Sequence, residues 1–383
     1  MVKKVLRCLS CIFITMIFCV GCIMVDIYLS DASQYNKASD NNTSDNNTLN
    51  SISGNKASNT VLYEDDMLIC YEDRILKKFV YEDNYLDNTI SVVNGMLCDC
   101  GKLEKVFIMP IPGGVIFEQE GEDFDKIENT VVKYEEYMDK LNNKIKLAGC
   151  ETEKITLMDV SKELKKHKNE YIFFKTEDSW TARGAYYGMN SLCEALSLDS
   201  IPLNQYEEHV YNSFTGGVMA AYKKNELSSV LLPEDKLIYY ILPNSKNRVC
   251  VMTMDENGKK TTYKKPLITA SSRNTSSIIS GRFCRAIVEG DALSDDLAND
   301  KKGHYVLLVC DDAGKLLAMY LKDYYDGVYV ININEDYAFS MEINEIVEAN
   351  NISEVVFAQN AIYMGNPGYS RAFNKWQQGG VNN

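Results

Sequence analysis

The sequence has few histidines and a shortage of positive charge. Its 383 residues include three histidines, and 40 Lys and Arg stand against 54 Asp and Glu, for a formal net charge of −14. Nucleic acids and anionic membrane surfaces are bound through clustered cations, so this balance argues against a nucleic-acid partner. The cysteines and histidines show no zinc-site spacing, and we expect no cofactor.

The chain has enough apolar sequence to build a core. Hydrophobic residues make up 45% of it, charged residues 25% and aromatic residues 10%, which is ordinary for a globular protein. Its length suits one large domain or two modest ones. The composition therefore excludes wholesale disorder.

Residues 1–29 are predicted to be a signal anchor. Lys3, Lys4 and Arg7 precede an uncharged apolar stretch, residues 8–25, which is long enough to cross a bilayer. A basic segment before such a stretch keeps the N-terminus cytoplasmic and exports the downstream chain. We therefore expect the main domain to lie outside the cytoplasm, attached to the cell membrane.

A lipoprotein signal is the alternative for this segment. The sequence Cys19-Val20-Gly21-Cys22 resembles a bacterial lipobox, in which Cys22 would be lipidated, although Cys19 replaces the usual Leu. Residues 30–60 come next, rich in Asn and Ser and almost without apolar side chains. They are predicted to be a disordered tether, because they cannot bury enough surface to offset the entropy of ordering. Residues 366–383 are predicted to be a C-terminal tail.

The cysteines beyond the export segment have two interpretations. There are eight of them: Cys70, Cys98, Cys100, Cys150, Cys193, Cys250, Cys284 and Cys310. An even number in an exported domain permits disulfides. Their irregular spacing favours the alternative, in which most are small buried hydrophobic residues.

Residues 61–365 are predicted to form a doubly wound α/β domain with a mostly parallel sheet. Strand-like runs occur at residues 105–111, 155–160, 171–175, 305–310, 328–333 and 354–358, and helical periodicity occurs at 131–147, 161–168, 181–196, 314–325 and 339–350. Alternating strands and helices predict parallel β-α-β units. Short alternating runs within residues 222–267 predict a β-rich insertion at about 219–285.

Two loops at predicted strand ends carry polar residues. Thr-Glu-Asp-Ser-Trp, residues 176–180, comes after the run at 171–175, and Asp311 and Asp312 come after the run at 305–310. Functional residues in open α/β sheets lie at the carboxyl ends of strands. If the loops adjoin, the carboxylates of Glu177, Asp178, Asp311 and Asp312 are weak candidates for a Ca²⁺ or Mg²⁺ site. The alternative is that Asp178 and Asp311 point outward into solvent.

The two loops resemble those of a known family. The pattern Thr-x-x-x-Trp-Thr-x-x-Gly-Ala-Tyr-Tyr at residues 176–187, and the strand ending in two acidic residues at 306–312, resemble the exported bacterial DHHW proteins. That family is SGNH-hydrolase-like and related to alginate O-acetyltransferase domain proteins. The resemblance covers roughly residues 60–360, with weaker matches at 214–217 and 280–281. It implies an Asp–His pair in the first loop and a nucleophilic Ser in the second.

This chain departs from that pattern at the catalytic positions. The family's Asp falls on Glu177, its two His on Asp178 and Ser179, and its nucleophile on Asp312, while its Trp is kept as Trp180. Acyl transfer from serine needs a hydroxyl and a base, and neither stands at the matching position. We expect Ser179 to cap the helix predicted after it. His167, His209 and His304 are expected to be exposed or structural.

The sequence therefore predicts an exported, membrane-tethered, SGNH-like pseudoenzyme of the cell envelope. By resemblance it would bind envelope glycans or assist O-acetylation, through Glu177, Trp180, Asp311 and Asp312. An active O-acetyl esterase or acetyltransferase with non-standard residues is one alternative, and a divalent-cation or partner-binding module is another. Trp180 with Tyr186 and Tyr187 is interpreted either as a flat surface for sugar rings or, more ordinarily, as core anchors.

Overall fold

The structure is a computed structural model, and it describes the chain from residue 61 to residue 364 with gaps. The described residues are 61–64, 67–81, 83–118, 124–148, 152–217, 235–254, 259–268, 283, 285–290, 304–334 and 343–364. The predicted anchor with Cys22, the tether and the C-terminal tail lie outside them. Within these ranges no helix is both long enough and apolar enough to cross a membrane.

The described chain contains both strands and α-helices, and the longest helix has 24 residues. The strands are β1 (Val61–Glu64), β2 (Leu68–Tyr71), β3 (Ile75–Lys77), β4 (Lys105–Ile111), β5 (Ile155–Leu157), β6 (Glu207–Phe214), β7 (Asp235–Ile241), β8 (Arg248–Met254), β9 (Lys260–Pro266), β10 (Arg285–Glu289), β11 (Tyr305–Cys310), β12 (Gly327–Asn332) and β13 (Ile352–Asn360). The α-helices are α1 (Asp83–Asp99), α2 (Phe124–Leu147), α3 (Ser161–Lys166), α4 (Ala182–Leu196), α5 (Ala318–Leu321), α6 (Ile343–Ala349) and α7 (Ala361–Met364).

A large mixed sheet forms the centre of the fold. Among the described residues its order is β5-β4-β13-β11-β12-β10-β8-β9. The neighbours from β5 to β12 are parallel, with Leu307 of β11 opposite Tyr329 of β12 and Val355 of β13. The neighbours from β12 to β9 are antiparallel. The predicted α/β architecture with a mostly parallel sheet is therefore confirmed, and β8, β9 and β10 continue that sheet.

Both faces of the parallel strands are buried. Along β11, Val306 and Leu308 belong to one hydrophobic cluster, while Leu307 and Val309 belong to the cluster on the opposite face. A strand covered on both sides has no polar face, which explains its uninterrupted apolar sequence. Because β4, β11, β12 and β13 run parallel, their carboxyl ends meet at one edge of the sheet.

Two predicted elements differ in the structure. Residues 171–175 are not a strand of the central sheet. Two of their backbone hydrogen bonds are local, from Phe174 N–H to Ser179 O at 3.1 Å and from Thr181 N–H to Ile172 O at 2.8 Å, and Lys175 O accepts from Ile75 N of β3 at 2.7 Å. The segment folds back on itself around the turn at residues 176–179. Residues 314–325 are not one helix, but a 3₁₀ turn, Gly314–Leu317, continued by α5.

Several cysteines are buried inside this fold. Cys70, Cys193 and Cys310 are at most 1% exposed, and burial raises the pKa of the Cys70 and Cys193 thiols to about 11. The interpretation as small buried hydrophobic residues is confirmed for these three. Cys150 and Cys284 lie outside the described residues.

Gly314, in the turn after β11, permits the close approach of that turn to β13. A Cβ atom there would lie 1.8 Å from the carbonyl oxygen of Ala358, so a side chain cannot fit without moving the backbone. We expect Gly314→Ala to lower the free energy of unfolding by about 2 kcal/mol or more. Denaturant unfolding of the full chain measures this change.

Gly95 offers the matched control for this substitution. It lies inside α1, and a Cβ atom there meets nothing within 4 Å. Gly95→Ala is expected to raise the free energy of unfolding by about 0.5–1 kcal/mol, because alanine has the higher helix propensity. Equal effects of the two substitutions would contradict the described packing at Gly314.

Candidate functional site

The two loops identified in the sequence meet at the carboxyl edge of the parallel strands. The indole Nε1 of Trp180 donates to the carbonyl oxygen of Ala313 at 2.9 Å. Asn360, the last residue of β13, joins them again: its side-chain Nδ2 donates to Asp178 O at 2.6 Å, and its backbone N–H donates to Asp311 Oδ2 at 2.8 Å. The expected adjacency of the loops is therefore present.

The first loop is built around the buried carboxylate of Asp235. This side chain, on the first residue of β7, accepts hydrogen bonds from Lys175 N at 2.7 Å, from Thr176 N at 2.7 Å and from Thr176 Oγ1 at 2.8 Å. The hydroxyl of Tyr171 donates to its other oxygen. Thr176 Oγ1 in turn accepts from Gly216 N at 2.8 Å. A buried carboxylate needs such partners, and here they fix the start of the turn.

Trp180 fixes the end of the turn. Its side chain is fully buried, and a Cβ atom on Gly188 of α4 would lie 2.6 Å from the indole ring. The ring therefore has no exposed face for a ligand, and its predicted binding role does not fit its position. Tyr186 and Tyr187 are also buried, at 8% exposure each, so the interpretation of all three rings as core anchors is the one that fits.

The helix cap differs from the expectation. Thr181, not Ser179, caps α4, because its Oγ1 accepts from Gly184 N at 3.3 Å. Ser179 is buried, and its hydroxyl donates to the carbonyl oxygen of Trp180 at 3.2 Å. The prediction that Ser179 is the cap is therefore wrong, because the helix begins two residues later than that role requires.

Asp311 and Asp312 have different roles in the second loop. Asp311 is buried, and its Oδ1 accepts from Gly314 N at 2.9 Å, so both of its oxygens bind backbone N–H groups. The side chain of Asp312 is 49% exposed, and its Oδ1 accepts from Nζ of the buried Lys315 at 2.8 Å. Burial raises the pKa of Asp312, but the charge and hydrogen bond of Lys315 lower it more, so its net pKa is below the ordinary value.

Glu177 and Asp178 are carboxyl groups with raised pKa values. Glu177 accepts from the backbone N–H of Gly217 and, at 3.2 Å, from that of Asp178. Burial raises the pKa of Glu177, and these two bonds offset only part of the rise. Asp178 is 8% exposed, and burial raises its pKa to about 7. The expectation that Asp178 and Asp311 point into solvent is wrong, since the turn folds under β13.

The four carboxylates do not form a cation site. In the ranges the structure covers, no group of three or more His, Cys, Asp and Glu side chains is placed to hold a metal ion. Both oxygens of Asp311 are used by backbone donors, and Asp312 is paired with Lys315. The geometry therefore gives no support to Glu177, Asp178, Asp311 and Asp312 as joint metal ligands.

The three histidines have partners elsewhere. His167 stacks on Tyr187, with ring centroids 3.5 Å apart, and His209 stacks on Tyr239 at 4.8 Å. His304 lies just before β11, at the opposite end of the sheet, with its Nδ1 3.0 Å from Asn351 Nδ2. All three belong to the described residues, and none of their imidazoles stands beside Asp312 to serve as a base.

Sequence reasoning missed several residues of this site. No sequence motif marks Asp235, Lys315 or Asn360. The fold of the chain places these three residues beside the two loops. Gly113 had a local signal, because Pro112-Gly113-Gly114 comes directly after the strand at residues 105–111. A Cβ atom on Gly113 would lie 3.0 Å from Asp178 Oδ1, so this position closes the site from the side of β4.

The role of Asp235 predicts a large effect of its removal. Asp235→Ala leaves two backbone N–H groups and two hydroxyls of the turn without their buried acceptor, so we expect a loss of about 3 kcal/mol or more in the free energy of unfolding. Asp87→Ala is the control, since its carboxylate pairs with Lys144 on the surface and its removal should cost less than about 1 kcal/mol. A loss at Asp235 as small as that at Asp87 would contradict the described turn.

Comparison with known proteins adds the family. The model of the family described as DHHW protein matches residues 49–331. A DHHW family protein from Eubacterium siraeum superposes with a TM-score of 0.59 at 18% identity, over 80% of this chain and 97% of that one. Bacillus cereus PatB1 with a sulfonyl adduct superposes with a TM-score of 0.55 at 14% identity, over 79% of this chain and 97% of that one.

A more distant structure is the O-acetyltransferase domain of Pseudomonas putida AlgJ, with a TM-score of 0.41 and 11% identity over 82% and 99% of the two chains. No curated protein matches the sequence. At such identities the first two structures show a shared fold. The family model spans well over half of the sequence, and the chain therefore belongs to the DHHW family.

Proposed function

We propose that this chain is an exported, membrane-tethered member of the DHHW family without esterase or transferase activity, which binds cell-envelope glycans or assists their O-acetylation. The observation that carries the proposal is the side chain at the nucleophile's position. Asp312 stands there as a carboxylate whose Oδ1 lies 2.8 Å from Lys315 Nζ. An ion-paired carboxylate with a lowered pKa is a poor nucleophile.

The missing base is the second support for an inactive site. A serine nucleophile is activated by a neighbouring imidazole, which a third group orients. The positions that the family fills with histidine hold Asp178 and Ser179, and both are buried against β13 and α4. The two loops meet, while the matching positions carry neither the nucleophilic hydroxyl nor the imidazole that the resemblance implies.

The envelope role rests on family likeness. The DHHW resemblance implies relatives of the alginate O-acetyltransferase domain proteins. The basic and apolar N-terminal residues 1–29 support export with the main domain outside the cytoplasm. The mass of the mature protein distinguishes an intact anchor from cleavage and lipidation at Cys22.

An active enzyme is the alternative that the test must exclude. The side chain of Asp312 is half-exposed, so a substrate can reach it, and Ser179 supplies a hydroxyl in the first loop. Turnover through either residue would make the chain an O-acetyl esterase or acetyltransferase with non-standard catalytic groups. The module that binds a divalent cation has less support, since Asp311 binds two backbone N–H groups and Asp312 is paired with Lys315.

The proposed inactivity predicts that the chain does not catalyse the hydrolysis of an acetyl ester. The full chain in detergent should hydrolyse 4-nitrophenyl acetate no faster than its Asp312→Ala and Ser179→Ala variants, because no described group can generate a nucleophile. Turnover by the wild type that either substitution abolishes would overturn the proposal. Co-sedimentation with insoluble cell-wall polysaccharide tests the binding part, and absence of the protein from the pellet counts against it.

A further inference from the structure

The turn at Glu177–Ser179 is short and lies between two fixed points. On one side Thr176 is bound to the buried Asp235. On the other side Trp180 is fully buried and bound to Ala313. Both anchors are hydrogen bonds made by residues outside Glu177–Ser179, so neither of them requires one conformation of these three residues.

The underside of the turn covers a small floor formed by Gly113 and Asn360. Asp178 Oδ1 lies so close to Gly113 that a Cβ atom there would be 3.0 Å from it, a tight contact. The side-chain amide of Asn360 donates to the carbonyl oxygen of Asp178 at 2.6 Å. In the described conformation the turn therefore contacts Gly113 and uses the side-chain amide of Asn360 at the end of β13.

Asp178 is held in this cover with one carboxyl oxygen unsatisfied. Its Oδ2 is buried and makes no hydrogen bond in the described part of the chain. The charged groups that face it are Glu177 of its own turn, Asp311 after β11 and Lys77 of β3. A neutral carboxyl group tolerates this position, whereas a carboxylate would add a negative charge beside two others, with Lys77 the single cation among the three facing groups.

We propose that the Glu177–Ser179 turn is a proton-controlled cover over the floor of Gly113 and Asn360, closed while Asp178 is protonated and open when Asp178 is ionised. Opening carries the carboxylate into water and releases the Asn360 amide as a donor for a carbonyl or hydroxyl oxygen. A role of the cover in regulating glycan access rests on the proposed function. The opening of the cover does not depend on that function.

The direction of the pH dependence is set by proton linkage. Burial raises the pKa of Asp178 from 3.8 to about 7 in the closed form. A raised acid pKa means that the closed form holds its proton more tightly than the open form. The closed form is therefore fully favoured below about pH 4 and is lost progressively as the pH rises to about 7.

Hydrogen exchange of the full chain in detergent tests the cover. We expect the opening equilibrium of the peptide that contains residues 176–180 to rise about fiftyfold between pH 5 and pH 7, after correction for intrinsic exchange, and to level off above that. Asp178→Asn keeps the size of the side chain but cannot ionise, so most of this rise should disappear, and the remainder should come from Glu177, whose pKa burial also raises. A peptide from α4 should not change in either protein.

Equal pH dependence in the wild type and in Asp178→Asn would overturn the cover. If that variant does not fold, Glu177→Gln provides the decision, because loss of the neighbouring charge should move the wild-type transition to lower pH, and an unmoved transition overturns the proposal. Neither experiment involves a ligand or a substrate. Acetyl-ester turnover would therefore refute the proposed function without affecting the proposed cover. Equal pH dependence of opening in the wild type and in Asp178→Asn would refute the cover without affecting the proposed function.

Discussion

The site depends on how one non-repetitive turn is fixed to the carboxyl edge of the central sheet. Residues 176–180 belong to no strand of that sheet, so tertiary hydrogen bonds hold them in place. The carboxylate of Asp235 binds the first residue of the turn, and the indole of Trp180 binds Ala313 beside the last strand residues of β11. Asn360 closes the arrangement from β13. Together these buried bonds hold the two loops next to each other.

The residues that hold the two loops in place differ from those at the positions that the resemblance assigns to catalysis. The groups that shape the site are Asp311, Trp180 and Thr176, and their partners are backbone atoms or the buried Asp235. The groups that would react are Asp178, Ser179 and Asp312, which contribute little to that framework. A hydroxyl or an imidazole at those positions can be replaced by a carboxyl group, provided that a partner such as Lys315, or a proton, compensates its charge.

Much of the fold could be predicted from periodicity, because both faces of the parallel strands are buried. The apolar runs of β4 and β11 end where the structure ends them, at residues 111 and 310. The adjacency of the two loops does not follow from parallel topology, because residues 171–175 are not a strand of the central sheet. Residues 171–175 were misassigned because an apolar run looks the same in a strand and in a buried hairpin. The burial of Asp178 and the partners of Asp235 and Asn360 depend on contacts far apart in sequence, which no local pattern records.

The central claim is that the site contains no activated nucleophile. Its most direct test is reaction of the full chain with a sulfonyl fluoride, a reagent for activated hydroxyl groups, combined with intact mass measurement and peptide mapping. The account predicts an unmodified mass, because Ser179 is buried without a base and a carboxylate paired with Lys315 stands at position 312. A sulfonyl adduct mapped to Ser179, or to any other residue of the two loops, would contradict it.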